Sequence, residues 1–162
     1  MQWYRAYRRD GAMKGIKGFD EFIKKNIVKK QSADRSRAEF LTKESGNSYN
    51  NLLVMMRVIT ISDSNANMFI RLCYDILMEL IRAKMLLEGY NASGFGAHEA
   101  EVSYMRLLGF SEVDVQFADQ MRFFRNGIIY YGTMLDGAYA EKVIEFTKKA
   151  YLKLTKGRGG IT

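Results

Sequence analysis

Proline is absent from this chain of 162 residues, and cysteine, histidine and tryptophan each occur only once. Because proline is most costly inside helices, its absence is compatible with an all-helical protein. The lone Cys73 cannot form an internal disulfide, which favours a reducing compartment and a buried, inert thiol. One histidine and one cysteine cannot supply a zinc site by themselves, so we expect no metal and no other cofactor.

The chain also lacks a long, uninterrupted apolar run. The stretch "LLVMMRVITI" at residues 52–61 is too short and too interrupted to span a membrane. The aromatic and basic start "MQWYRAYRRDGAMKG" does not resemble a secretory signal peptide. We therefore expect a cytoplasmic protein that makes no use of a membrane.

The positive charge is concentrated near the N-terminus. The whole chain has a net charge of +7, and residues 1–30 carry nine Lys or Arg against three acidic residues. A basic segment of this kind can hold a polyanion such as RNA. A solvated tail without a binding role is the alternative.

Hydrophobic residues spaced three and four positions apart predict helices along most of the chain. The predicted helices cover residues 19–30, 35–61, 66–88, 97–110, 111–131 and 138–154. Short loops between them indicate an all-α fold, an antiparallel up-and-down bundle of four or five helices with a short extra N-terminal helix. We divide the chain into a basic arm with a short helix (1–33), the bundle (34–155) and a flexible tail (156–162).

The helix predicted over residues 66–88 is apolar except for one narrow polar stripe. Arg71, Asp75, Glu79 and Arg82 form this stripe, and their spacing lets them pair along the helix. Since an exposed helix needs a wider polar face, we expect this helix at the centre of the bundle. Its apolar surface exceeds what one bundle core should need, which predicts a homodimer.

The segment "RNGIIYYG" at residues 125–132 lies in the fifth predicted helix and carries the candidate site. On a helical wheel, Arg122, Asn126 and Tyr130 share one face, and Arg125 flanks them. Two guanidinium groups, an amide and a phenol together can bind a phosphate group. A polar outer face whose arginines pair with acids of a neighbour is the alternative. The predicted core stripe of this helix consists of Phe117, Met121, Phe124, Ile128 and Tyr131.

Three stretches in order resemble the HEPN family (higher eukaryotes and prokaryotes nucleotide-binding). They are the long apolar helix ending in "LLEGY", the helix start "GAHEA" and the segment "RNGIIYYG", and the resemblance covers residues 43–153. It implies an up-and-down helical bundle that usually dimerises. Many members are metal-independent RNases of toxin–antitoxin and defence systems.

The family motif is an arginine followed, after four to six residues, by a histidine. Arg125 and Asn126 match its start, but Tyr130 stands at the histidine position. Histidine exchanges protons near neutral pH, whereas tyrosine ordinarily titrates near pH 10, so tyrosine is a poor substitute base. The only histidine, His98, begins a different helix, where we expect a helix-terminal or packing role.

Three functions remain open on this basis. The first is a non-catalytic or degenerate HEPN-like homodimer that binds RNA, a nucleotide or a partner protein. The second is an active RNase in which Arg125, Asn126 and Tyr130 are catalytic. The third is a structural partner of a minimal nucleotidyltransferase, similar to the helical domain of kanamycin nucleotidyltransferase. In one branch of the family such a partner adenylylates a tyrosine two places after the histidine, and that place is Gly132 here.

Overall fold

A computed structural model of the chain describes residues 15–156. Six helices and two short strands follow one another in this range. They are α1 (Phe19–Lys24), β1 (Val28–Lys30), α2 (Arg35–Val58), α3 (Ala66–Leu87), β2 (Tyr90–Ala92), α4 (Ala97–Tyr104), α5 (Glu112–Tyr131) and α6 (Gly137–Lys156). The predicted all-α helical bundle is confirmed.

The four long helices α2, α3, α5 and α6 alternate in direction. Ser45 of α2 donates its hydroxyl to the carbonyl of Ile76 (2.8 Å), and the backbone of Asp34, before α2, reaches the carbonyl of Leu86. These contacts run in opposite directions along the two helices, so α2 and α3 are antiparallel. The contacts Asn67–Thr133 and Tyr74–Arg125 show that α3 and α5 are antiparallel. The contacts Gln120–Tyr139 and Phe117–Phe146 show the same for α5 and α6.

Helix α3 lies at the centre of the bundle, as its composition predicts. Helices α2, α4, α5 and α6 all pack against it, and most of its residues are buried. Cys73 is fully buried, and burial raises the pKa of its thiol to about 12. The apolar surface of α3 is thus covered within one chain, so it no longer argues for a dimer.

Helix ends follow the capping signals in the sequence. Ser111 and Asp114 form a reciprocal capping box at the start of α5. Asp136 accepts the backbone N–H of Tyr139 at 2.8 Å and caps α6. Gly132 ends α5 in the left-handed region (φ 63°), which glycine adopts without a steric penalty.

Three predicted helices are shorter than expected, and the one predicted over residues 35–61 ends at Val58, where Ile59 is extended. The helix predicted over residues 19–30 ends at Lys24, because Asn26 takes a left-handed φ of 60° and the chain then continues as β1. Strand β1 pairs antiparallel with β2, with Val28 opposite Ala92. The helix predicted over residues 97–110 ends at Tyr104 and gives way to turns that close at Gly109 (φ 82°).

The segment before α2 contributes to the main core. Phe19, Phe22 and Val28 are buried in the same hydrophobic cluster as α3. The domain boundary at residue 33 stays a prediction, and residues 1–14 of the arm and 157–162 of the tail lie outside the described residues. Between residues 15 and 156 no helix has the length and apolarity needed to cross a bilayer.

Candidate functional site

The four predicted site residues lie on the side of α5 that faces α3 and α4, but they differ in environment. The guanidinium of Arg125 lies next to Asn126, whose side-chain oxygen accepts from Nη1 of Arg125 at 3.5 Å, a weak hydrogen bond. Arg122 and Asn126 are partly buried, whereas Tyr130 is 69% exposed. Arg125 and Asn126 are thus brought together, while Tyr130 extends towards solvent at the end of the helix.

The predicted core stripe of α5 needs one correction. Met121 and Phe124 are buried, and Phe117 and Ile128 are partly buried against the core. Tyr131 was predicted as a core residue, but its side chain is 82% exposed. It is the last residue of α5 before the Gly132 cap, so the other helices no longer cover that side.

Arg122 is held by carboxylates on two elements. Its Nε lies 2.8 Å from Asp119 Oδ1 on the preceding turn, and its Nη2 lies 3.4 Å from Glu99 Oε1 of α4. Arg122 therefore matches the alternative interpretation, a polar face whose arginines pair with neighbouring acids. Its charge is largely neutralised within the chain.

Arg125 has a different environment. Its guanidinium carbon lies 5.5 Å from the ring centre of the buried Tyr74, within cation–π range. Within residues 15–156 no ion pair involves Arg125, and its buried Nε has no hydrogen-bond partner there. The guanidinium thus keeps donors that the described part of the chain does not use.

Tyr74 is the centre around which the charged residues gather. Burial raises the pKa of its phenol, and Glu101, Arg122, Arg125 and Arg82 all act on it electrostatically. Its hydroxyl is buried and finds no partner among residues 15–156. Charged side chains of α3, α4 and α5 therefore all act on the buried Tyr74 phenol.

The sequence predicts that the polar stripe of α3 can pair along the helix, but one of its arginines pairs with a different helix. Arg82 instead binds Glu101 of α4 through two hydrogen bonds, Nε–Oε1 at 2.7 Å and Nη2–Oε2 at 3.1 Å. Burial raises the pKa of Asp75, against the opposing effect of Arg125 and then Arg71. Burial also raises the pKa of Glu79, as does the nearby charge of Asp75.

His98 adjoins the same group of residues. It is the second residue of α4, and its Nδ1 lies 3.2 Å from Oε2 of Glu101, which is only 2% exposed. The His98 ring centre lies 6.3 Å from that of Tyr74. The expected helix-terminal position is correct, but the proximity to the Tyr74 ring was missed; only the i, i+3 spacing of His98 and Glu101 is visible in the sequence.

Burial opposes the ionisation of Glu101, but hydrogen bonds from His98 and Arg82 outweigh it, so the pKa of Glu101 lies below its ordinary value. The ionised carboxylate therefore accepts from both neighbours. Between residues 15 and 156 no three His, Cys, Asp or Glu side chains are grouped so that they could hold a metal ion.

Part of the basic segment lies close to this region. The side chain of Lys17 lies close to that of Lys25, and this like charge lowers the pKa of Lys25. Glu99, the partner of Arg122, also acts on the charge of Lys25. The described part of the basic segment thus adjoins the α4–α5 side of the bundle.

The charged and polar side chains of the site form two groups, which differ in how fully their arginines are paired with carboxylates. The paired cluster, in which every arginine contacts a carboxylate, consists of Arg82, Glu99, Glu101, Asp119 and Arg122. The open cluster, in which Asp75 balances only part of the arginine charge, consists of Arg71, Asp75, Arg125 and Asn126. The open cluster can accept an anion, and the paired cluster fixes the helices around it.

Comparisons of the chain with protein-family models, with curated proteins and with solved structures found no match.

Proposed function

We propose that this protein is a HEPN-like, non-catalytic homodimer that binds RNA or a nucleotide through a phosphate group at the open cluster. The observation that carries the proposal is the environment of Arg125. A guanidinium with unused donors beside an amide is suited to a phosphate oxygen pair.

Charge balance favours Arg125 over Arg122 as the phosphate ligand. Asp119 and Glu99 already occupy Arg122, so an incoming phosphate would have to compete with two carboxylates. Near Arg125 the opposing charge is that of Asp75, on which Arg71 also acts. The excess positive charge there is small, so we expect weak binding by this site alone.

The basic segment supports a polyanion rather than an isolated phosphate as the ligand. Lys17 and Lys25 lie near the α4 side of the site, and Lys29 and Lys30 of β1 are exposed. Each added phosphate contact releases counterions, so affinity should fall steeply with salt. We therefore expect an RNA strand to bind more tightly than a single nucleotide.

The absence of catalysis is proposed from Tyr130. A general base contributes about 10²–10⁴-fold in rate, and the residue at the family's histidine position is a phenol. We expect Tyr130→His to raise metal-independent RNA cleavage and Arg125→Ala in that background to remove the gain. Robust cleavage by the wild type that survives Tyr130→Phe would contradict a non-catalytic role.

The direct test is the binding of a fluorescent single-stranded RNA by polarisation over a series of salt concentrations. Arg125→Gln should weaken binding about ten-fold at low salt and flatten the salt dependence. Arg37→Gln, an exposed arginine at the start of α2, is the matched control and should change little. If the wild type binds neither RNA nor nucleotide at low salt, the open cluster is structural or is a protein interface, such as one for a nucleotidyltransferase partner.

The homodimer is proposed from an exposed apolar surface at one end of the bundle, the apolar end. Its residues are Val58, Ile59, Met68, Ile129, Tyr130, Tyr131 and Met134. Hydrogen bonds between Asn67 and the 133–135 loop, and between Asp63 and Gly137, bring these segments to the same end. Exposed patches of this kind usually mark interfaces.

Light scattering tests the dimer. We expect a species of twice 18.7 kDa at micromolar concentration, and Tyr131→Glu with Met134→Glu should convert it to the monomer. Leu152→Glu, an exposed apolar residue of α6 away from that end, is the control. A wild type that scatters only as a monomer would contradict the homodimer.

A further inference from the structure

Arg125 and His98 come from different helices but approach the same aromatic ring. The guanidinium carbon of Arg125 lies 5.5 Å from the Tyr74 ring centre, and the His98 ring centre lies 6.3 Å from it. Both groups also act on the charge of Asp75. A cation from α5 and an imidazole from α4 thus both lie near one aromatic ring.

The carboxylate of Glu101 fixes the orientation of the His98 imidazole. Glu101 is buried, ionised and bound to Arg82 by two hydrogen bonds, so its Oε2 is an acceptor in a constant position. Nδ1 of His98, 3.2 Å away, must then be the donor. In the neutral imidazole this leaves Nε2 as an acceptor that Glu101 does not use.

The two groups therefore have complementary requirements. Arg125 offers hydrogen-bond donors to an anion, and His98 offers an acceptor to a hydroxyl. A phosphate group with a neighbouring hydroxyl satisfies both, and this is the arrangement within a ribonucleotide. A deoxyribonucleotide lacks the 2′-hydroxyl and leaves the imidazole acceptor without that partner.

We infer that His98 accepts a hydrogen bond from the ribose 2′-hydroxyl next to the phosphate that Arg125 binds, so that the site distinguishes RNA from DNA. This inference rests on the proposed function and adds the sugar to it. His98 acts by direct contact with the ligand, and Glu101 acts only as a positioning residue.

The test compares single-stranded RNA and DNA of the same sequence, each titrated into the wild type and three variants. The wild type should bind RNA about five-fold more tightly than DNA, the ratio expected for one hydrogen bond. His98→Ala should remove this preference by weakening RNA binding while DNA affinity stays constant. His98→Gln keeps an acceptor and should retain part of the preference, whereas Arg125→Gln should weaken both.

A second measurement observes the imidazole directly. His98 is the only histidine in the chain, so its side-chain nitrogens give one assignable set of NMR signals. Adding a ribonucleoside 3′-monophosphate should move the Nε2 signal, and the matched 2′-deoxyribonucleoside 3′-monophosphate should move it much less. Inorganic phosphate shows the effect of the anion alone, and the RNA strand shows whether the polymer uses the same place.

The outcomes separate the two proposals. RNA and DNA bound equally well, or an RNA preference that survives His98→Ala, overturns the role of His98 and leaves phosphate binding by Arg125 intact. Binding of RNA without any movement of the His98 signal does the same. Failure to bind RNA, DNA or any nucleotide at low salt overturns the proposed function, and the inference with it.

Discussion

Arg122 and Arg125 lie one turn apart on α5, yet their surroundings give them different roles. Arg122 belongs to the paired cluster, in which Asp119 and Glu99 neutralise it. Arg125 belongs to the open cluster, in which its donors have a weak amide contact and an aromatic ring. Helical spacing places two residues on one side, but the neighbouring helix decides which charge stays available.

The source of the difference is the short helix α4. It reaches α5 beside Arg122, where it supplies Glu99, and it reaches α3 beside Arg82, where it supplies Glu101. Near its start, His98 lies beside the Tyr74 ring, which the guanidinium of Arg125 also approaches. The paired cluster therefore joins three helices, while the open cluster faces outward between α3 and α5.

Breaking the paired cluster at Glu101 should have the largest effect. Glu101→Ala leaves Arg82 without its buried partner and should lower the free energy of unfolding by about 2–3 kcal/mol, since Arg82 is partly exposed and recovers some hydration. Urea denaturation measures this. Glu145→Ala removes the exposed partner of Lys148 and should cost less than about 1 kcal/mol. Equal losses in both variants would show that the Arg82–Glu101 pair does not anchor α4.

Replacing Arg122 and replacing Arg125 should change the free energy of unfolding by different amounts, because the two arginines have different environments. Arg122→Gln removes the ion pairs of Arg122 with Asp119 and with Glu99 and should cost about 1 kcal/mol. Arg125→Gln should lower the free energy of unfolding by about 0.5 kcal/mol, because it loses the cation–π contact with Tyr74 but no ion pair within residues 15–156. A larger loss for Arg125→Gln than for Arg122→Gln would reverse the assignment of the two clusters.

Acid should affect the two clusters in opposite directions. The pKa of Glu101 lies below its ordinary value of 4.5, so its contribution is present above that pH and is lost as the pH falls through the lower, folded value. The pKa values of Asp75 and Glu79 are raised, so protonating them favours the folded state. Unfolding free energies measured from pH 7 to pH 3 should fall below pH 4.5, and Glu101→Gln should reduce that fall. An identical pH dependence in both proteins would exclude Glu101 as its source.

Removing a charge beside the open cluster should give the smallest effect, with the opposite sign. Glu79 has a buried carboxylate oxygen without a partner among the described residues, and Asp75 and Glu44 repel it. Glu79→Gln should therefore stabilise the protein by about 0.5 kcal/mol. Thermal unfolding measures this, with Glu39→Gln, on the exposed side of α2, as the control. A destabilised Glu79→Gln protein would mean that its charge has a partner.

The sequence predicts what depends on local spacing. The bundle, the central position of α3 and the caps at Ser111 and Asp136 all follow from residues within a few positions of each other. The β1–β2 pairing joins segments about sixty residues apart, and no local pattern marks it. The left-handed Asn26 lies between α1 and β1, where the chain turns into the strand.

The candidate site was predictable only in part, for the same reason. A helical wheel places Arg122, Arg125 and Asn126 on one side of α5. It contains nothing about Glu99, which neutralises Arg122, or about His98, which reaches the Tyr74 ring from α4. It also extends the core stripe to Tyr131, because a wheel does not show where the neighbouring helices stop.

Because Cys73 is buried, the rate at which its thiol is modified reports how often the protein opens. The chain has one thiol, at the middle of α3 and close to Thr147 of α6, and its raised pKa keeps it protonated at neutral pH. A thiol reagent reaches it only when the helices packed around α3 separate, so the rate of modification counts those openings without an engineered label. Covalent cross-linking between two chains through this sulfur likewise requires that both have first come open.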